Sequence, residues 1–233
     1  MRKLDIEIAL AEGFRTIFNK PAILVPSFIS SLLFSYLFYQ YVKLNPKGNI
    51  SPNEAILLLK ITLAVVLVAI YFDSVVVRLA YSKSFEAFIF ALKKYPVVLI
   101  ATVIYVLLLA LGSIALIIPG IYLAVRLYYF IDAILIDGKG VISSLKTSWR
   151  IAKGNWWATF LLLIIIGLFS TLINALISSA LSMVTFGKYV EVGVFVQAPI
   201  TAVFRAWSYS AFVNAYLQLK NGQTNLQNFN LIE

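Results

Sequence analysis

Long apolar runs separated by short polar stretches fill the chain from residue 21 to residue 219. The first covers residues 21–42, and as a helix rising ~1.5 Å per residue it exceeds the ~30 Å hydrocarbon core of a bilayer. It ends in the bulky Ser35-Tyr36-Leu37-Phe38-Tyr39 rather than in a small-residue cleavage site, which predicts an uncleaved span. Residues 44–54 are polar, carry Pro46, Gly48 and Pro52, and predict a loop. Further spans are predicted over residues 55–82, 96–118, 121–136, 156–183 and 189–219. Pro119-Gly120 predicts a tight turn before the short fourth span, and Pro199 a kink in the last. A polar stretch, 220–233, reads as a loosely ordered tail.

Three polar-apolar segments precede spans. In the first, Leu10, Phe14, Ile17 and Phe18 recur at helical spacing, with Glu12, Arg15 and Asn19 outside. In the second the apolar set is Phe85, Phe88, Ile89 and Leu92. In the third it is Ile142, Leu145, Trp149 and Ala152, with Ser143, Lys146, Arg150 and Lys153 pointing away. Basic amphipathic stretches of this kind lie at headgroup level; the alternative is an extension of the following helix. The fold class is therefore an all-α polytopic membrane protein with about six spans, arranged as three hairpins with interfacial helices.

Composition supports the bilayer as solvent. Hydrophobic residues make up 61% of the 233, charged residues 12%, and the mean hydropathy is +0.92. A soluble domain has about 25% charged residues and could not hide this much apolar surface. The formal charge of +9 sits between the apolar runs, which points to topology rather than to nucleic acid. With a cytoplasmic N-terminus, thirteen basic residues fall on one side: Arg2, Lys3, Arg15, Lys20, Arg78, Lys83, Lys93, Lys94, Lys139, Lys146, Arg150, Lys153 and Lys220. Only Lys43, Lys47 and Lys188 fall on the other, and Lys60, Arg126 and Arg205 lie within spans. The excess places both termini in the cytoplasm of a multi-pass protein of the cell membrane.

A repeat is suggested by the stretches that surround three arginines. Val75-Val76-Val77-Arg78-Leu79, Leu123-Ala124-Val125-Arg126-Leu127 and Ala202-Val203-Phe204-Arg205-Ala206 are each followed by aromatic residues. They predict three hairpin units, about 1–82, 83–137 and 138–219, in one membrane domain.

The chain contains no cysteine and no histidine. Disulfides, thiolate or histidine metal sites, and Ser-His-Asp or Cys-His catalysis are thereby excluded. No pair of carboxylates, lysines or serines has a persuasive catalytic spacing, so the expectation is a non-enzymatic protein without a cofactor. Charges inside spans cost a few kcal/mol each unless paired or hydrated. Arg126 and Arg205 are the sharpest candidates, with Asp73 and Asp132 as counter-charges and Arg78 nearer a membrane end. They either face a shared polar cavity and hold an anion such as a lipid phosphate, or form arginine–carboxylate pairs that fix helix packing. Serines 27, 31 and 35, and Ser170, Asn174 and Ser178, form polar stripes that read better as helix glue than as a solute path. Trp149, Trp156 and Trp157, with Lys146, Arg150 and Lys153, read as an interfacial belt. Gly138-Lys139-Gly140 lacks the rest of a phosphate-cradling motif and reads as a turn. Asn49-Ile50-Ser51 fits a glycosylation acceptor, a match that Pro52 weakens.

Pro119-Gly120-Ile121-Tyr122-Leu123, Arg126, Ser148-Trp149-Arg150 and Lys153-Gly154-Asn155-Trp156-Trp157 together carry a resemblance. The middle of the chain resembles the membrane domain of glycerophosphoryl diester phosphodiesterases and related stand-alone membrane proteins. The resemblance covers residues 84–219 and is sharpest over 112–157. It implies six helices with short amphipathic segments and an association with membrane lipid, and it implies no reaction, because in such fusions the chemistry belongs to a separate soluble barrel. The partners expected are membrane lipids, anionic headgroups among them, and not nucleic acid. Two functions follow: a scaffold, partner-binding or lipid-interacting module, or a transporter or channel for an anion or anionic lipid.

Overall fold

The computed structural model describes residues 3–44, 50–82, 86–115, 117–185 and 190–229; Asn49, Lys47, Lys83, Phe85 and Lys188 lie outside them. The fold is all-α, and five helical stretches are long and apolar enough to cross a membrane. Short polar signals set their beginnings. Helix α1 (Ile6–Asn19) starts where the Asp5 carboxylate accepts the Ile8 N–H at 3.1 Å. A 3-10 turn at Pro21–Ile23 leads into α2 (Leu24–Leu44). Helix α3 (Pro52–Tyr81) has a capping box: Ser51 Oγ accepts the Glu54 N–H, and the Glu54 carboxylate accepts the Ser51 N–H at 2.8 Å.

Two details differ from the apolar pattern. The second amphipathic segment is not a separate interfacial helix, because α4 (Glu86–Ala115) is continuous through Pro96. Neighbouring helices supply the packing that lets a membrane helix tolerate the lost N–H. The turn expected at Pro119-Gly120 is not there, since α5 (Ile117–Leu127) has already begun. Proline fits a first helical turn, whose N–H groups have no intrahelical partner. Gly120 is needed for another reason: a Cβ there would lie 2.4 Å from Ser113 Oγ on α4.

The short fourth span is α5 followed by α6 (Phe130–Leu135), broken at Tyr128-Tyr129, and with the break it covers 19 residues. Gly138 (φ +69°) turns the chain toward α7 (Val141–Ile151), and Gly154 (φ +84°) turns it into α8 (Trp156–Thr185). Left-handed backbone of this kind suits glycine. Helices α1 and α7 are the two separate amphipathic helices, as the first and third segments predict. The 40 residues of α9 (Val190–Phe229) carry the helix well past residue 220, into the stretch read as a loose tail. Once nucleated, a helix propagates readily through residues that contain no stop. Helix α9 is long enough to span, but Gln197, Arg205 and Asn214 leave it less apolar than the five spans.

Packing is inside-out relative to a soluble bundle. Small residues are buried, including Ala69, Ala101, Ala198, Ala202, Ala206 and Ala211, together with Ser27, Ser31 and Ser35. Large aliphatics such as Val103, Leu107 and Leu111 of α4 and Leu168, Leu172 and Leu176 of α8 are exposed. Small residues let membrane helices approach closely, while the tails of lipids cover the large ones. Helix α9 lies against α1, α2, α3 and α8 and so joins the first third of the chain to the last. The approach of α1 to α9 is closest at Gly13, where a Cβ would sit 2.8 Å from the Ala211 backbone.

That contact gives a matched pair of substitutions. Gly13→Ala forces backbone apart and is expected to destabilise by about 1–3 kcal/mol. Gly167→Ala, with nothing within 4 Å of its Cβ, is expected to be neutral or stabilising by up to ~1 kcal/mol. Thermal unfolding midpoints of the two variants in detergent check the contrast.

Candidate functional site

Arg205 of α9 and Asp73 of α3 form a bidentate ion pair. Arg205 Nε donates to Asp73 Oδ1 at 2.8 Å and Nη2 to Oδ2 at 2.7 Å, while Ser30 Oγ of α2 donates to Oδ1 at 2.9 Å. The guanidinium also lies 4.8 Å from the centre of the Phe34 ring. Three helices thus meet at one carboxylate, and the planar fork of arginine fits it. Beside the pair, between α8 and α9, is a cavity of about 320 Å³ lined by Ser170, Asn174, Thr201 and Ser208. The polar stripe of α8 works as glue: Thr201 Oγ1 donates to Asn174 Oδ1 at 3.3 Å, and Gln197 Nε2 to Ser178 Oγ at 2.7 Å.

Arg126 has a different environment. Its side chain is only 6% exposed, and the guanidinium lies 4.3 Å from the Trp149 ring centre and 5.6 Å from that of Tyr122. Its Nε has no hydrogen-bond partner among the described residues. Tyr122 in turn stacks on Trp156 at 6.0 Å, so α5, α7 and α8 share one aromatic wall around this charge. The expected counter-charge, Asp132, is buried but forms no ion pair with Arg126. Six residues along a helix lie on different faces, and the break at Tyr128-Tyr129 separates them further. Ser148 closes that break: its Oγ donates to the Arg126 carbonyl and accepts the Tyr129 N–H, both at 3.0 Å. Backbone groups freed inside a membrane need such partners.

The basic residues gather at one end of the bundle. Lys20 donates to the Ala80 carbonyl, Arg78 Nη1 to Leu135 O at 2.9 Å and Lys94 to Gly138 O. The Arg78 guanidinium covers the Phe90 ring at 4.0 Å. Asp137 accepts from Lys220 Nζ at 2.6 Å and from Tyr216 Oη at 2.8 Å, with Lys139 at 3.7 Å. Burial pushes the Asp137 carboxyl up, but those two hydrogen bonds and the two lysine charges outweigh it and hold it below its ordinary value. The chain start closes the same end, as the Leu4 N–H reaches Asn155 Oδ1 at 2.9 Å.

On α7, Lys146, Arg150 and Trp149 are exposed next to Ile142, and Lys153 follows the helix. On α1, Phe14 and Phe18 are exposed and pair edge-on at 5.0 Å, whereas Ile17 is buried. Trp157 is 70% exposed at the start of α8. The arginines 78, 126 and 205, alike in sequence, therefore meet a carbonyl, an aromatic wall and a carboxylate respectively. The sequence marks Ser148 only within the Ser148-Trp149-Arg150 stretch that carries the resemblance, and it does not mark Asp137. An isolated acid within a strongly basic stretch was the available signal for Asp137; for Ser148 the physical signal was a hydroxyl on the inner face of an amphipathic helix.

Residues 54–219 match a family model described as Domain of unknown function (DUF7847). No curated protein and no solved structure matches the chain.

Two outcomes follow from the charges. Asp73→Asn or Arg205→Gln alone should destabilise by about 3–5 kcal/mol by stranding its partner, and the double variant should recover much of that loss in thermal unfolding. Asp137, with its folded-state value depressed, adds stability that is present above the unfolded carboxylate value and lost as pH falls through the lower folded one. Unfolding midpoints measured below about pH 4 should fall more steeply in the parent than in Asp137→Asn.

Proposed function

The chain belongs to the DUF7847 family, and we propose that it is a non-enzymatic membrane module that binds anionic lipid headgroups at its basic end. The outer face of α7 carries the reading. Trp149 and Ile142 stand exposed beside Lys146 and Arg150, with Lys153 next in line. Apolar and cationic groups on one exposed face match the boundary between acyl chains and phosphates. Arg126 lies directly behind Trp149 and adds a guanidinium whose Nε is unpartnered among the described residues. Exposed Phe14 and Phe18 near Arg15 extend the same surface on α1. The resemblance to the membrane domain of glycerophosphoryl diester phosphodiesterases points toward lipid as well. In this reading the basic end faces the cytoplasm and carries both termini, where the anionic leaflet of a cell membrane lies.

A scaffold or partner-binding role is compatible with the same surface. The alternative is a transporter or channel for an anion or anionic lipid, and the polar cavity beside Arg205 favours it. Against it, Arg205 already donates to both oxygens of Asp73.

The test is headgroup preference in bilayers. Each basic residue near an anionic surface contributes on the order of 1 kcal/mol, so Lys146→Glu/Arg150→Glu/Lys153→Glu should weaken phosphatidylglycerol retention by about a hundredfold or more. Native mass spectrometry of protein from phosphatidylcholine nanodiscs, with and without phosphatidylglycerol, reads this directly. Retention that ignores lipid charge, added salt and the triple reversal would sink the proposal.

A further inference from the structure

Asp132 lies within the fourth span, away from the ion pair that neutralises Asp73. It is 4% exposed, and no described residue forms an ion pair with it. It lines a cavity of about 220 Å³ enclosed by α3, α4, α6 and α9. The remaining walls are mostly rings: Tyr105, Tyr128, Phe130, Tyr209 and Phe212. Tyr105 leans on Phe130 with centroids 5.0 Å apart, and Tyr128 on Phe212 at 4.4 Å, so two aromatic pairs flank the carboxylate.

The chemistry of the walls selects a charge sign. An ionised carboxylate taken out of water is costly until a cation or a proton meets it. Ring faces are electron-rich and attract cations, most strongly where water is excluded. Arg126 turns instead to Trp149, and Arg205, which shares Tyr209 with this cavity, is neutralised by Asp73. The walls therefore favour positive over negative charge, and no described residue supplies a resident cation. Thr102 Oγ1, on the wall, is buried without a hydrogen-bond partner. Val106, also on the wall, is exposed on the outer surface of α4, so the cavity gives onto the lipid-facing side.

We propose that this cavity binds a small lipophilic organic cation, of the quaternary ammonium class, which reaches Asp132 from the bilayer. A quaternary ammonium carries its charge under methyl groups, donates no hydrogen bonds, and is matched by an aromatic box closed with one carboxylate. A hydrated metal ion fits poorly, because one carboxylate in a mainly apolar wall does not replace its water. This site is separate from the basic headgroup surface, and either can fail without the other.

The probe is benzyltrimethylammonium, compared with its uncharged carbon isostere neopentylbenzene, on full-length protein in uncharged detergent. Saturable binding is followed by aromatic fluorescence and thermal shift. The cation is expected to bind about tenfold or more tightly than the isostere, and Asp132→Asn to remove that preference while Gly167→Ala keeps it. Equal binding of cation and isostere, absence of saturable cation binding, or an unchanged preference in a folded Asp132→Asn variant overturns the proposal. Should Asp132→Asn lose its monodisperse peak, Tyr105→Leu and Tyr105→Phe decide instead. Removal of the ring must weaken the cation selectively, and Phe must retain it; equal behaviour of the two overturns the site.

Discussion

An arginine inside a bilayer must be paired or shielded, and the pairing of Arg205 with Asp73 meets that need for the least apolar of the long helices. Helix α9 touches α1, α2, α3 and α8, so its position organises much of the bundle. Without a partner for Arg205, the helix would carry a bare charge into lipid at a cost of several kcal/mol. With Asp73 on α3 and Ser30 on α2, that charge becomes a joint between three helices. The ion pair contributes specificity as well as attraction, because only one rotation and depth of α9 brings a planar fork onto that carboxylate.

The same constraint explains the breaks in the helices. Water is not available to satisfy a freed carbonyl or N–H in the hydrocarbon region. The interruption between α5 and α6 is tolerated in part because a single hydroxyl, Ser148, serves two of the groups freed there, the Arg126 carbonyl and the Tyr129 N–H. That contact draws α7 onto the break and turns its basic, tryptophan-bearing face outward. The exposed chemistry of α7 is in this sense a consequence of a backbone repair on its inner side. Gly13 against Ala211, and Gly120 against Ser113, show how little room the close helix contacts leave.

Charge is distributed in three tiers with different physics. At the basic end, Lys94, Arg78 and Lys20 meet carbonyl oxygens, and Lys220 meets Asp137. Within the bundle Arg205 is neutralised and Arg126 is shielded by rings. Asp132 stands apart from all of these, in an aromatic cavity open toward lipid. A protein that reads headgroup phosphate on its surface and a cation in its interior would use opposite charge preferences a few helices apart.

Much of this architecture was legible in the chain. The apolar runs require helices, since in lipid each backbone group must bond within its own segment, and that holds whatever the neighbours are. Amphipathic spacing marked α1 and α7, and glycine marked the turn at 138. Pairing was not legible. Arg126 and Asp132 stand six residues apart and face different surroundings, while Arg205 finds Asp73 across 132 residues of chain. Local rules fix which residues share a helix face, but which helix lies opposite is settled by packing of small residues and by rotation about each axis. The reach of α9 past residue 220, the continuity of α4 through Pro96 and the cavity at Asp132 all belong to that second class: each depends on neighbours that no local stretch of sequence specifies.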